Sequence, residues 1–419
     1  MTRLRRATSA TFQSLHVRNF RLFFAGQLIS QVGNWLTLVA QTLLVLHLTD
    51  SGVALGLLAA AQFGPMLLMG PFTGLVADRS DKRVLLMVVQ SLAMVQSFCL
   101  AALATLDRPP LAAVYALAVL GGCAVAFDNP ARRSFVVELV PLSAVNNAVS
   151  LNSALMTGAR VLGPALAGLL VSTVGFAWCF LLDGLTYPAV LVALAHIDRR
   201  QLRAAPVTPR GRGQVREGLR YIAGVPDLWV PLVMMAAIGT LAFNFQTVLP
   251  LFVIRDLAGT DLTFTWLLSV VSLGSLLGAL ASARREVVDL RRVGLAALAF
   301  GASMALLAVV PNQASAFAVG LVLGVSSISF MTASTALVQV RADPSMRGRV
   351  LALQSMLFLG STPIGAPLVG AVAEHFGARY GLGLGAAATV AAGAFGLVTA
   401  RRHDHCEPAR PAADVTDAA

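Results

Sequence analysis

Twelve apolar stretches, each set off by a short polar connector, constrain this 419-residue chain more than any other feature. They fall at 22–47, 53–77, 84–106, 111–127, 147–173 and 177–196, then at 228–252, 263–282, 292–310, 314–338, 350–373 and 380–400. A helix rising ~1.5 Å per residue needs ~20 apolar residues to cross the ~30 Å hydrocarbon core of a bilayer. Runs this long lack the ten-residue alternation of membrane strands, so the spans are expected to be helices. Composition agrees: 57% of residues are hydrophobic and 12% charged, against about 25% charged in soluble domains. The expected fold is an all-α integral membrane protein of twelve transmembrane helices in two six-helix bundles.

The net charge of +11 invites a nucleic-acid reading, and its distribution rejects it. Of 31 basic residues, Arg160 lies inside a span, and Arg108, Arg255 and Arg379 lie in connectors on one side. The other 27 all fall on the opposite side, which the positive-inside rule assigns to the cytoplasm together with both termini. The charge therefore reports topology and attraction to anionic lipid; no nucleic-acid partner is expected. Lys82 is the only lysine and Asp81 precedes it, so a Walker phosphate loop is excluded. Cys99, Cys123, Cys179 and Cys406 are scattered, without metal-ligand or disulfide spacing. His403 and His405 near the C-terminus read as part of a solvated tail. No cofactor, metal site or catalytic group is expected. The basic first twenty residues show no signal-peptide cleavage pattern.

The one long polar connector, 197–227, carries seven arginines, and its composition predicts a linker followed by a surface amphipathic helix at 214–223. It divides the chain into a tail (1–21), a first bundle (22–196), the central loop, a second bundle (228–400) and a disordered tail (401–419). The halves also share an offset. Phe127 and Pro141 stand 203 positions before Phe330 and Pro344, and Gly163 and Gly168 stand 202 before Gly365 and Gly370, with Pro164 and Pro367 beside them. Duplicated halves around a midplane cavity are a common plan for secondary transporters.

GLVADRSDKR, residues 74–83 between the second and third spans, resembles the loop-two signature of the major facilitator superfamily. Gly74, Asp78, Arg79, Lys82 and Arg83 fit the pattern, and Asp81 replaces its second glycine. Gly158, Gly163, Pro164 and Gly168 of span five are similar to the glycine–proline motif of that superfamily's antiporters. NFRLFFAGQLISQVGNWLTLVAQTLLVLHLTDS with NPARRSFVVELVP resembles the twelve-span efflux group that includes macrolide and enterobactin exporters. The resemblance covers about residues 15–400 and implies alternating access between the two bundles. It further implies that loop two latches the cytoplasmic side against the start of span eleven, near Val350.

Physically, Gly74 permits close helix approach. Asp78 would sit where span two meets water, within reach of Lys82 or of a helix N-terminus. Asp128 is expected to emerge at the end of span four and hold Lys82 or Arg83. The second half keeps Gly278 but has Ser282 and Ala283 in place of Asp-Arg, so the latch is one-sided. Arg160 and Asp183 are the ionisable residues well inside spans; they could pair, or Asp183 could carry a coupling proton. Gln27, Gln31, Asn34 and Gln41 share one helical face, suited either to interhelical bonds or, with Gln62, Asn244 and Gln246, to a cavity wall. Phe243, Phe245 and Trp266 would add apolar contact. Glu374 and His375 read as interfacial.

The expectation is a monomeric, proton-coupled exporter of a small amphiphilic compound in a bacterial cytoplasmic membrane. Its partners would be that small molecule, protons and the lipid bilayer. An importer or uniporter is the alternative within transport. A receptor or a membrane enzyme is the alternative outside it, and no clustered His, Asp or Glu at membrane depth favours an enzyme.

Overall fold

A computed structural model describes residues 12–203, 220–282, 289–343 and 346–404. Twelve helices in it are long and apolar enough to cross a membrane. They are α1 (Arg18–Thr49), α2 (Gly52–Arg79), α3 (Lys82–Leu103), α4 (Leu111–Glu138), α5 (Val145–Val174) and α6 (Phe176–Ala195) in the first half. The second half holds α7 (the span Pro226–Asp256), α8 (Asp261–Ser282), α9 (Leu290–Val309), α10 (Gln313–Arg341), α11 (Arg347–His375) and α12 (Ala378–Asp404). No strand occurs among the described residues. The protein is thus an all-helical, multi-pass membrane protein. Residues 214–219 of the expected surface helix, Ala283, Pro344, His405 and Cys406 lie outside the described residues, as does the His403 side chain.

Polar side chains set where helices begin. Ser51 caps α2 by accepting from the Ala54 amide, Asn312 caps α10 through Ser315, and Asp289 caps α9 through Arg292. Asp81, the residue that departs from the loop-two signature, accepts from the Arg83 and Val84 amides and starts α3. The departure thus has a structural role. Span seven differs from the continuous helix expected. It runs Pro226–Leu241, breaks at 242–244, and resumes through Phe245–Leu251 into a π turn at Phe252–Asp256. Asn244 donates to the Thr240 carbonyl (2.6 Å), which satisfies a backbone group freed by the break.

The packing repeats between the halves. In the first, α1 lies on α5 and α6, α2 on α4, and α3 on α4 and α6. In the second, α7 lies on α11 and α12, α8 on α10, and α9 on α10 and α12. Adding six to each helix number converts one pattern into the other. The halves meet along α2–α11 and α5–α8, two seams that the same relation exchanges.

The paired glycines occupy matching places. A Cβ at Gly163 would strike Trp35 of α1, and one at Gly365 would strike the Thr240 carbonyl of α7. A Cβ at Gly168 would collide with Thr265 of α8, and one at Gly370 with the Gly52 carbonyl of α2. So the first of each pair packs inside its half and the second packs across to the other. Gly158 differs, with no atom within 4 Å of an added Cβ.

Candidate functional site: a cleft between the two halves

The α2–α3 loop, the start of α1 and the ends of α6 and α12 share one end of the molecule, here the termini end; the α1–α2 turn marks the far end. At the far end the halves are tied together. Asp50, in a left-handed conformation (φ 44°) at the close of α1, takes an ion pair from Arg255 of α7 at 3.1 Å, and Arg255 also donates to the Asp50 carbonyl. His47 Nε2 lies 2.9 Å from Asp261 Oδ2 at the start of α8. Glu374 of α11 accepts from the Ser51 hydroxyl and from the Val53 amide, the latter at 2.9 Å. Beneath these bonds Gly52 and Gly56 of α2 lie directly against Gly370 and Pro367 of α11. These hydrogen bonds and ion pairs join the two halves at the far end.

Toward the termini end the seams loosen. Gly70 of α2 and Gly348 of α11, on the helix faces that carry Gly52 and Gly370 farther along, have no atom within 4 Å of an added Cβ. The halves thus enclose a cleft that is shut at the far end and open toward the termini end.

Loop two holds its own half together. Lys82 Nζ pairs with Glu138 Oε1 at 2.6 Å, and Arg83 donates to the Leu194 and Ala195 carbonyls (2.5 and 2.7 Å) at the C-terminal end of α6. Lys82 and Arg83 therefore do not reach Asp128, as the sequence had suggested. The reason is the length of α4, which continues eleven residues past the apolar run to Glu138 and keeps Asp128 inside the bundle. There Asp128 forms a buried ion pair with Arg132, one turn on, and accepts from Gln90 Nε2 at 2.8 Å. Gly74 and Arg79 lie in the last turns of α2, and the Asp78 side chain lies outside the described residues.

Arg160 and Asp183 do not pair. Asp183 is fully buried on α6 and accepts from Thr37 of α1 (2.6 Å) and Ser97 of α3 (2.7 Å), with its second oxygen unpartnered. A Cβ on Gly33 of α1 would meet that second oxygen. Arg160 of α5 instead stands 6.0 Å from the ring centroid of Trp35. Gly33 and Thr37 project from the side of α1 opposite Trp35, at 100° per residue, so α1 separates the two charges. A cation over an aromatic face gains ~0.5–2 kcal/mol, whereas an arginine at mid-span costs ~2.5–3.5 kcal/mol on insertion scales. Trp35 alone does not settle Arg160.

The amide stripe of α1 is bonded within the first half. Gln31 donates to Gln27, whose carbonyl oxygen also takes Arg132. Asn34 accepts from Tyr187 of α6, Gln41 donates to the Val114 carbonyl of α4, and Gln62 of α2 donates to Gln41. Gln246 follows the break in α7, and Phe243 and Phe245 join Phe300 and Phe358 in an aromatic cluster beside it. Trp266, 50% exposed, stands outside that cluster. Among the described residues no group of three His, Cys, Asp or Glu could hold a metal.

Sequence reasoning missed His47, Asp50 and Asp261, read Arg255 only as a connector charge and read Glu374 only as interfacial. The available signal was a polar residue at a span end in each half, but nothing in the sequence says which would meet.

Comparison with known proteins accords with this geometry. The family model described as transmembrane secretion effector matches residues 9–414. The chain is 23% identical over 363 residues to the staphyloferrin A transporter of Staphylococcus aureus, covering 85% of this chain and 90% of that protein. It is 25% identical over 369 residues to the multidrug efflux pump Tap of Mycolicibacterium fortuitum, with 85% and 89% covered. It is also 25% identical over 271 residues (63% of this chain) to the MFS-type transporter YfiS of Bacillus subtilis, and spans 64% of that protein's length. Among solved structures, a bacterial homologue of the human lysosomal transporter Spinster superposes with a TM-score of 0.71 at 15% identity, over 91% of this chain and 96% of the other. The fold is that of the major facilitator superfamily, and the relatives are transporters, not enzymes. The chain belongs to the transmembrane secretion effector family of major facilitator transporters.

Proposed function

We propose that this transporter is a proton-coupled exporter that carries a small amphiphilic compound out of a bacterial cell by alternating access. The observation that carries the reading is Asp183. It is a carboxylate at 0% exposure inside a membrane bundle, held by two hydroxyls and no cation, with one oxygen left over. A carboxylate so placed, with no cation to balance it, is the proposed carrier of the coupled proton. Efflux relatives support the direction of transport, and the 27-to-3 split of basic residues supports cytoplasmic termini. With that orientation, a cleft open toward the termini end would load from the cytoplasm. In the opposite state Gly74, Asp78 and Arg79 would close against the start of α11, with Lys82, Arg83 and Asp128 bracing them from within the first half. The polar groups Gln27, Gln31, Asn34, Gln41, Gln62, Asn244 and Gln246 would exchange partners as the cleft reshapes. The protein is proposed to work as a monomer in the cytoplasmic membrane.

The test is reconstitution into liposomes with an imposed pH gradient. Compounds are first chosen by screening a deletion strain against antibiotics, siderophores and its own secreted metabolites. Export predicts uptake into inside-acid, inside-out vesicles and loss of that uptake on Asp183→Asn, with normal membrane insertion. Movement that follows the substrate gradient alone, equally in wild type and Asp183→Asn, would support a uniporter and sink the proton-coupled reading.

A further inference from the structure

The transport reading leaves the chemical class of substrate open, and Arg160 narrows it. Three observations converge on this side chain. First, its side chain is exposed although it sits midway along α5. Second, its place on α5 aims it into that cleft. Viewed down the helix at 100° per residue, Arg160 lies between Gly163, which packs on Trp35 of α1, and Gly168, which packs on Thr265 of α8 across the seam. Third, among the described residues no carboxylate and no hydrogen-bond acceptor lies within bonding range of its guanidinium; its one polar contact is the Trp35 ring.

The other charges at this depth are already answered. Arg132 is bound to Asp128, and Asp183 lies on the far side of α1 with its own donors. A guanidinium does not lose its proton at any physiological pH, so Arg160 cannot itself be the exchangeable proton carrier. What remains is a permanent, unneutralised positive charge beside an indole face, in a cleft open toward the termini end. That end also carries most of the protein's basic residues, which raise the local concentration of anions.

Resting on the exporter reading above, we propose that the cleft takes an amphiphilic anion, whose carboxylate, sulfonate or phosphate seats on Arg160 and whose apolar or aromatic body lies along Trp35. The planar fork of the guanidinium suits a two-oxygen anionic group, and the adjacent ring supplies apolar contact. A cationic amphiphile would meet a like charge with no carboxylate to offset it.

Two measurements on the full chain in lipid nanodiscs and liposomes test this. Ser153 lies seven residues before Arg160 on the same face of α5 and is exposed, so Ser153→Cys in a cysteine-free background reports the field of the cleft. The rate of an anionic methanethiosulfonate (sulfonatoethyl) is compared with that of a cationic one (trimethylammonium-ethyl). The anion-to-cation rate ratio should fall about fivefold when Arg160→Gln is added, and Arg160→Lys should restore most of it. An unchanged ratio overturns the proposal, as does failure of both reagents to reach the cysteine. In the second measurement, liposomes with an imposed pH gradient are offered dansylglycine, dansylamide and dansylcadaverine, a matched anion, neutral compound and cation. Movement of dansylglycine that falls at least tenfold in Arg160→Gln supports the anion site. Movement of dansylcadaverine that ignores Arg160→Gln overturns the anion site and leaves the exporter reading standing. An Arg160-dependent rate ratio with no driven movement of any probe supports the anion site and counts against the exporter reading.

Discussion

Alanine at Gly370 should prop the far-end gate open, and the size of the effect follows from the seam between α2 and α11. The added Cβ would be driven against the Gly52 carbonyl and would stand 3.3 Å from Thr247 Cγ2; the reciprocal Cβ on Gly52 would strike the Gly370 carbonyl. Backbone meets backbone here, so no flexible side chain can swing aside. Overpacking of this kind costs ~1–3 kcal/mol. The strain exists only while the far end is shut, because opening that end parts α2 from α11. A penalty of ~2 kcal/mol on one of two states changes their ratio about 30-fold. Gln246→Cys provides the readout, since it precedes Thr247, which lines this seam, and opening the far end is expected to raise its access from that side. In intact cells treated with an impermeant maleimide, Gly370→Ala should speed its labelling about 30-fold, with Asp107→Cys as the control for external exposure. Gly383→Ala, where an added Cβ meets nothing within 4 Å, should leave the rate unchanged. Equal labelling in Gly370→Ala and the parent would refute the assignment of this seam as the gate.

Other outcomes follow from the termini end. Asp78→Asn should cripple transport while leaving membrane insertion intact, measured as substrate flux per inserted molecule; wild-type flux would remove the latch. Asp81→Ala should lower stability by ~1 kcal/mol and Asp81→Gly by only a few tenths, because Asp81 caps α3 and glycine tolerates that position. Thermal unfolding in lipid reads both, and transport should survive the glycine change. Lys82→Met alone should destabilise by ~3 kcal/mol by stranding Glu138, whereas Lys82→Met with Glu138→Leu should recover most of that loss. Additive losses in this double-mutant cycle would mean that the pair does not act as a unit.

Much of the fold was legible because a bilayer permits so few solutions. Twelve apolar runs of sufficient length became twelve helices, and the 202-residue glycine offset marked positions that do matching work in the two halves. Reading failed where tertiary context replaced lipid. The apolar run of span four ends at Phe127, yet α4 continues to Glu138, because Asp128, Arg132 and Glu138 are paired inside the protein and need not leave the helix for water. The break at Asn244 was hidden because its flanks, Phe243 and Phe245, are as apolar as the rest of the span. The far-end ties escaped for another reason: His47 with Asp261 and Asp50 with Arg255 are more than 200 residues apart. Pairings at that separation are set by how the halves dock, which no local pattern encodes. Asp183 and Arg160 were visible as anomalies at membrane depth, but α1 between them could be placed only once the helices were packed.

The account stands or falls on the two halves rocking about the cleft, and paired distances measure that directly. Spin labels at Asp107 and Pro311 report the far end, and labels at Leu142 (86% exposed) and Val340 (68% exposed) report the termini end. Double electron–electron resonance in lipid nanodiscs should find two populations, with the far-end distance lengthening where the termini-end distance shortens. Acid pH and Asp183→Asn should shift their ratio in the same direction, since both neutralise that carboxylate. A single fixed distance at each end under all conditions, or two distances that lengthen together, would contradict alternating access in this protein.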